Sequence, residues 1–148
     1  MDKEQHKALA IQLFNAAWDL IDQSERTEDE TLEMIRLAQT SRFHWGEAGT
    51  HVNWSRGDWQ ISRAFAEAGN GEQALVYARA NERIYQQYGL NDFDEAFVYE
   101  ALARAYSLLN QPEEMLQAKQ TAEAFAHSCK NQKDTAYILE QLESIKIQ

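Results

Sequence analysis

The stretch ISRAFAEAGNGEQALVYARANERI, residues 61–84, returns 41 residues later as LARAYSLLNQPEEMLQAKQTAEAF, residues 102–125. In both copies a helical apolar pattern stops at a short polar turn and then resumes. A self-similar unit of this length is typical of paired antiparallel helices stacked into a solenoid. The five identical pairs are Arg63/Arg104, Ala64/Ala105, Glu72/Glu113, Leu75/Leu116 and Glu82/Glu123.

Apolar spacing and capping signals predict helices along the whole chain, and no segment alternates with the period of a strand. A capping box, Thr27-x-x-Glu30, opens the second helix, and Gly46 and Gly49 are expected to interrupt the chain after it. We therefore predict a single all-α domain over residues 1–148, with about seven antiparallel helices forming three hairpins and a C-terminal capping helix. The predicted helices cover 3–23, 27 to about 45, about 54–68, 72–88, 92–109, 112–129 and 131–145.

Composition narrows the class of protein. The formal net charge is −10, which argues against binding to nucleic acid or to an anionic membrane, because phosphate contacts need basic residues. Cys129 is the single cysteine, so the chain can form neither an internal disulfide nor a cysteine-based metal cluster. There is no secretory signal pattern and no apolar run near the ~18 residues of a membrane span. We expect a cytoplasmic protein.

The repeat resembles the tetratricopeptide motif. In the first copy the small residue, the aromatic, the turn glycine and the early alanine of that motif are matched by Ser62, Phe65, Gly69 and Ala74. The second copy keeps a small residue and an aromatic but departs from the turn glycine and the early alanine, and the first hairpin has about five extra residues in its turn. The resemblance implies a right-handed superhelix whose concave face is lined by the first helix of each hairpin.

A narrower resemblance covers more of the chain. Four segments are similar to a group of small uncharacterised bacterial proteins, which supports the fold and implies no activity. The segments are His44-Trp45-x-x-x-Gly49-Thr50, Gly57-Asp58-Trp59-Gln60-Ile61-Ser62-Arg63, Asp92-Phe93-Asp94 and Tyr99-Glu100-Ala101-Leu102-Ala103-Arg104-Ala105.

The tetratricopeptide resemblance also supplies a candidate binding face. Arginine forks hold carboxylates and phosphates with two parallel hydrogen bonds, and a tryptophan can stack on an extended ligand. The candidates from the third helix lie three and four residues apart, so they share one helical face. The predicted binding residues are Arg56, Trp59, Arg63, Glu100 and Arg104, with Gln12 and Asp19 contributed by the first helix.

Ordinary ion pairs are the alternative for these arginines. Arg63 could pair with Asp58 or Glu67, and Arg104 with Glu100 one turn earlier on its own helix. Such pairs are common on helix surfaces and contribute only ~0.3–0.5 kcal/mol.

A metal or catalytic site has weaker support in the sequence than the candidate binding face. On a continuous helix His44, His51 and Asp58 would form one stripe with the imidazole and carboxylate ligands that zinc prefers. Because the two glycines are expected to break that helix, we predict no metal site and no cofactor. Cys129 lies on an apolar stripe, which is typical of a buried, inert thiol.

The sequence leaves three functions open. We favour a non-enzymatic module whose concave groove binds an acidic peptide or protein. The first alternative is a small-ligand or metal-binding enzyme or sensor with a site around His44, His51, Asp58 and Arg63. The second is a structural subunit that forms a homodimer.

Overall fold

The structure, a computed structural model, describes residues 1–147. It confirms the all-α prediction: within this range there are seven helices and no strand, and none of these helices is both long and apolar enough to cross a membrane. The helices are α1 (Lys3–Ile21), α2 (Glu28–Ala48), α3 (His51–Glu67), α4 (Gly71–Tyr88), α5 (Asp92–Leu108), α6 (Pro112–Ser128) and α7 (Gln132–Glu143).

Local sequence signals set most helix ends. The predicted capping box opens α2, with the Glu30 N–H donating to Thr27 Oγ1 at 3.1 Å and the Thr27 N–H donating to Glu30 Oε1 at 2.9 Å. The expected interruption at Gly46 is wrong, since α2 continues to Ala48. A glycine inside a helix destabilises the helix by only about 1 kcal/mol relative to alanine, so Gly46 by itself is not enough to end α2. Gly49 does end it, and a Cβ there would lie 2.9 Å from the Trp45 ring.

The 41-residue repeat is visible in the backbone. The helices α5 and α6 begin 41 residues after α3 and α4, at Asp92 and Pro112. The turns carry equivalent bonds, with the N–H of Asn70 donating to Phe65 O at 2.9 Å and that of Gln111 to Tyr106 O at 3.0 Å. Before each of these residues the chain adopts positive φ, +79° at Gly69 and +54° at Asn110. Asparagine tolerates this conformation better than most residues, which explains the departure from glycine in the second copy.

Each helix packs against the next one along the chain, and the strongest contacts are within the hairpins α1–α2, α3–α4 and α5–α6. In addition α1 contacts α3, α3 contacts α5, and α5 contacts α7. These four helices form what we call the odd-numbered layer, and α2, α4 and α6 lie behind it. The connection within the first hairpin has six residues (22–27) against three in the other two, so the extra length is three residues rather than five.

The core between the layers is built largely from alanine. Fourteen alanines are buried, which lets helix backbones approach closely, and a few larger side chains fill the remaining space. The largest apolar side chains that are fully buried are Met34, Ile61, Ile138, Leu142 and Val98. Ten of the sixteen Phe, Trp and Tyr residues lie on the odd-numbered layer, where the pocket described below is found.

The first hairpin offers a test of this packing. We expect Met34→Ala to lower the free energy of unfolding by about 2–4 kcal/mol, because Met34 is fully buried and its removal leaves a cavity. Leu32→Ala is the matched control on the same helix, since Leu32 is 44% exposed and should cost under about 1 kcal/mol. Urea unfolding followed by circular dichroism measures both. Equal losses in the two variants would contradict the packing.

Candidate functional site

A cavity of about 360 Å³ opens on the odd-numbered layer, and we call it the aromatic pocket. Every helix of that layer contributes to it, and α4 contributes one residue from behind. Its floor is formed by residues that are at least nine-tenths buried, while half-buried or exposed residues form its mouth. The floor residues are Ser55, Trp59, Asn81 and Phe97; the mouth residues are Phe14, Trp18, Arg56, Phe93, Asp94 and Tyr137.

Aromatic rings form the wall of the pocket. The ring centroids of Trp18 and Trp59 lie 5.3 Å apart, those of Trp59 and Phe97 also 5.3 Å, and those of Phe97 and Tyr137 6.0 Å. These residues come from α1, α3, α5 and α7 in turn, so the contacts cross the whole layer. Separations of 4.5–7 Å are favourable for aromatic pairs. The contacts hold the four helices together and leave ring surface facing the cavity.

The polar part of the mouth is an ion pair. Arg56 donates from Nε to Asp94 Oδ1 and from Nη2 to Asp94 Oδ2, both at 2.9 Å. This bond raises the pKa of the Arg56 guanidinium. The Arg56 side chain is still 54% exposed, so the third nitrogen of its fork, Nη1, is available to another acceptor.

The polar part of the floor is a hydrogen bond between two helices. The Ser55 hydroxyl of α3 donates to Asn81 Oδ1 of α4, and the two residues are 2% and 1% exposed. Both residues line the cavity.

Beside the pocket lies a buried ionic group, the Glu100 cluster, which comprises Trp59, Arg63, Glu100 and Arg104. The carboxylate of Glu100 is fully buried and accepts from Trp59 Nε1 at 3.1 Å and from Arg104 Nε at 3.0 Å. Arg104 also donates to the backbone oxygen of Gln141 on α7 at 3.4 Å. The cluster therefore links α3, α5 and α7.

Arg63 lies in this cluster with fewer partners. Its Nη1 donates to Gln141 Oε1 at 3.3 Å, and its Nε is buried with no hydrogen-bond partner among the described residues. Burial lowers the pKa of the Arg63 guanidinium, and the charge of Arg104 lowers it further. Arg63 and Arg104 thus lie close together on the odd-numbered layer, with α7 packed against both.

The five predicted binding residues separate into two groups. Arg56 and Trp59 line the aromatic pocket, and Trp59 also joins Arg63, Glu100 and Arg104 in the buried cluster. Arg104 forms the ion pair with Glu100 that the sequence predicts as the alternative to ligand binding. Arg63 lies 3.9 Å from Glu67, whereas Asp58 pairs with Arg42 at 3.1 Å instead. Whether these residues bind an anionic partner stays a prediction.

The residues of the alternative enzyme or sensor site have separate partners. His44 Nδ1 lies 2.8 Å from His6 Nδ1 on α1, and the ring of His51 stacks on Tyr88 at 5.1 Å. Asp58 is held by Arg42, and burial raises the pKa of its carboxyl group. Because α2 and α3 are distinct helices, the stripe of a continuous helix does not form. Residues 1–147 contain no group of three side chains that could hold a metal ion.

Several pocket residues escape sequence reasoning. Phe93, Phe97 and Tyr137 have the spacing and chemistry of ordinary core residues, and Ser55 and Asn81 lie on faces that the pattern assigns to packing. The available signal was the density of aromatics on the first helix of each hairpin. The number of aromatic residues does not show which of their rings surround a cavity and which fill the core.

Comparison with protein-family models, with curated proteins and with solved structures finds no match to this chain. The helical hairpins are therefore the part of the tetratricopeptide-like prediction that the structure confirms, and membership of that family stays a prediction.

The Glu100 cluster predicts a large effect on stability. We expect Arg104→Ala to lower the free energy of unfolding by about 3 kcal/mol or more, because it leaves the Glu100 carboxylate buried without its charged partner. The control is Arg79→Ala on α4, whose side chain is exposed and should contribute under about 1 kcal/mol. In the double variant Arg104→Ala, Glu100→Gln part of the loss should be recovered. Urea unfolding would contradict the cluster if Arg104→Ala matched the control.

Proposed function

We propose that this chain is a non-enzymatic binding module whose aromatic pocket receives one apolar or aromatic side chain from an extended segment of a partner protein. The observation that carries this proposal is a cavity of about 360 Å³ with six aromatic residues around it. Cavities of roughly 300–1,000 Å³ lined by apolar groups with a few placed polar groups are the usual form of ligand sites.

The size of the pocket favours a side chain over a large cofactor. A cavity near the lower end of that range suits a single ring or branched aliphatic group with part of its backbone. Partner segments commonly bind through one such anchor in a desolvated pocket, surrounded by contacts that contribute little energy. The half-buried Phe14, Trp18 and Phe93 at the mouth would supply those surrounding contacts.

The mouth also supports an acidic partner through Arg56. Two of its nitrogens hold Asp94, and the remaining one can donate to a carboxylate or backbone carbonyl of the bound segment. Arg63 and Arg104 fit this role less well, since Glu100 and α7 already receive hydrogen bonds from them. The alternative site around His44, His51 and Asp58 lacks convergence, so we do not propose an enzyme.

Two tyrosines of similar exposure test the pocket. A displayed peptide library panned on the wild-type protein should yield peptides sharing one apolar or aromatic residue. We expect Tyr137→Ala, which removes a pocket wall, to weaken the best of them at least about tenfold. Tyr88 is a matched control, since it is 49% exposed against 41% for Tyr137. Tyr88→Ala should leave affinity unchanged, because Tyr88 contacts His51 and Trp54 and does not line the pocket. Calorimetry measures the affinities; equal loss in both variants would refute the assignment.

A charge variant tests the acidic part of the proposal. For peptides carrying Asp or Glu beside the anchor, Arg56→Gln should reduce affinity about three- to tenfold and flatten its dependence on salt. Arg36→Gln is the control, since Arg36 is exposed on α2 and does not line the pocket. Titrations at low and high salt give both quantities. An equal effect of the two substitutions would mean that net charge, and not Arg56, attracts the peptide.

A further inference from the structure

The floor of the aromatic pocket includes a polar pair, Ser55 and Asn81, to which an apolar anchor makes no hydrogen bond. We propose that the preferred occupant is a phenolic ring, the side chain of a tyrosine in the partner segment, with its hydroxyl group at Ser55 and Asn81. This inference rests on the proposed function and names the chemistry of the anchor.

The first step is that Asn81 has unused hydrogen-bonding capacity. Its Oδ1 accepts from Ser55, whereas its Nδ2 donates to no acceptor among residues 1–147. The buried polar atoms sealed from solvent without a partner are Gln60 Oε1 and Arg63 Nε, and Asn81 Nδ2 is not one of them. The nitrogen therefore keeps a small accessible surface, within the 1% exposure of the residue. Because Asn81 lines the cavity, we place this surface on the cavity side.

The second step is the pairing of a donor with an acceptor. A serine oxygen that donates its proton still carries two lone pairs, so the floor offers Asn81 Nδ2 as donor and Ser55 Oγ as acceptor. Turning the amide by half a rotation would exchange the roles and still leave one donor and one acceptor. A hydroxyl group, which both donates and accepts, satisfies the two groups together; a hydrocarbon satisfies neither.

The third step is the shape of the aromatic part of the site. The ring centroids of Trp18 and Phe97 each lie 5.3 Å from that of Trp59, and all three rings line the cavity, which suits a flat aromatic ring. At the mouth, Arg56 retains a donor that can reach a backbone carbonyl beside the anchor. A tyrosine within a peptide provides the ring, the hydroxyl and the carbonyl in that order.

Leaving a buried donor and acceptor unpaired is unfavourable, so the site should discriminate against a ring that lacks the hydroxyl. The probes are p-cresol and toluene, which differ by that group alone. We expect p-cresol to bind at least about fivefold more tightly than toluene. Asn81→Leu, which nearly conserves side-chain volume, should remove the preference, and the milder Ser55→Ala should reduce it. Circular dichroism confirms that each variant is folded.

The four tryptophan indole N–H signals in ¹⁵N-correlated spectra report where the probes bind. Those of Trp18 and Trp59 should shift, and those of Trp45 and Trp54, outside the pocket, should stay. Equal affinity for the two probes, or a preference that survives both substitutions, would overturn the phenol inference while leaving apolar binding intact. Failure of either probe to shift Trp18 or Trp59, with no peptide selected, would instead defeat the proposed function.

For peptides the same comparison is Tyr against Phe at the anchor. The Tyr peptide should bind more tightly to the wild type and lose that advantage in Asn81→Leu. If p-cresol binds at the pocket but no tyrosine peptide does, the occupant is a free phenol and the assignment to a protein side chain is wrong.

Discussion

The buried carboxylate of Glu100 is the constraint on which the odd-numbered layer depends. A carboxylate removed from water costs several kcal/mol unless charged or polar donors meet it. Here the donors are Trp59 on α3 and Arg104 on the same helix as Glu100. One bond fixes the indole that forms the floor of the aromatic pocket, and the other orients the guanidinium that bonds to α7. The shape of the pocket and the docking of the last helix are therefore set by the same charged group.

The cluster also carries more positive than negative charge. Arg104 pairs with the Glu100 carboxylate, whereas Arg63 lies 3.9 Å from Glu67 and has no direct bond to Glu100 among residues 1–147, in a chain whose formal net charge is −10. Burial lowers the pKa of the Arg63 guanidinium, and the neighbouring charge of Arg104 lowers it further. The sequence hypothesis assigned both arginines to an anionic ligand. Their hydrogen bonds to Glu100 and α7 give them a structural role already, and Arg56 is the arginine with a donor still directed outward.

The features that could be predicted from sequence are those encoded locally or by repetition. The capping box at Thr27, the left-handed turn at Gly69 and the 41-residue period each depend on a few neighbouring residues or on one copy matching another. The pocket depends on contacts between distant residues, such as Ser55 with Asn81 and the rings of Phe97 and Tyr137. Periodicity assigns such residues to a buried face but does not reveal which of them leave space between them, because that follows from how four helices pack.

The two copies of the repeat share the residues of the scaffold and differ in the residues of the pocket. Helix starts, turn bonds and the arginines of the Glu100 cluster recur 41 residues apart, so the scaffold is duplicated. The polar and aromatic groups of the pocket do not recur: the second copy replaces them with residues of different chemistry. The pairs are Ser55/Ala96, Arg56/Phe97, Trp59/Glu100 and Asn81/Ala122. In a solenoid, equivalent positions project from the same side, so these exchanges convert one repeated face into a single asymmetric site. Phe97 packs on Trp59 and Glu100 accepts its indole N–H, which means that the second copy supplies the partners that the first copy needs.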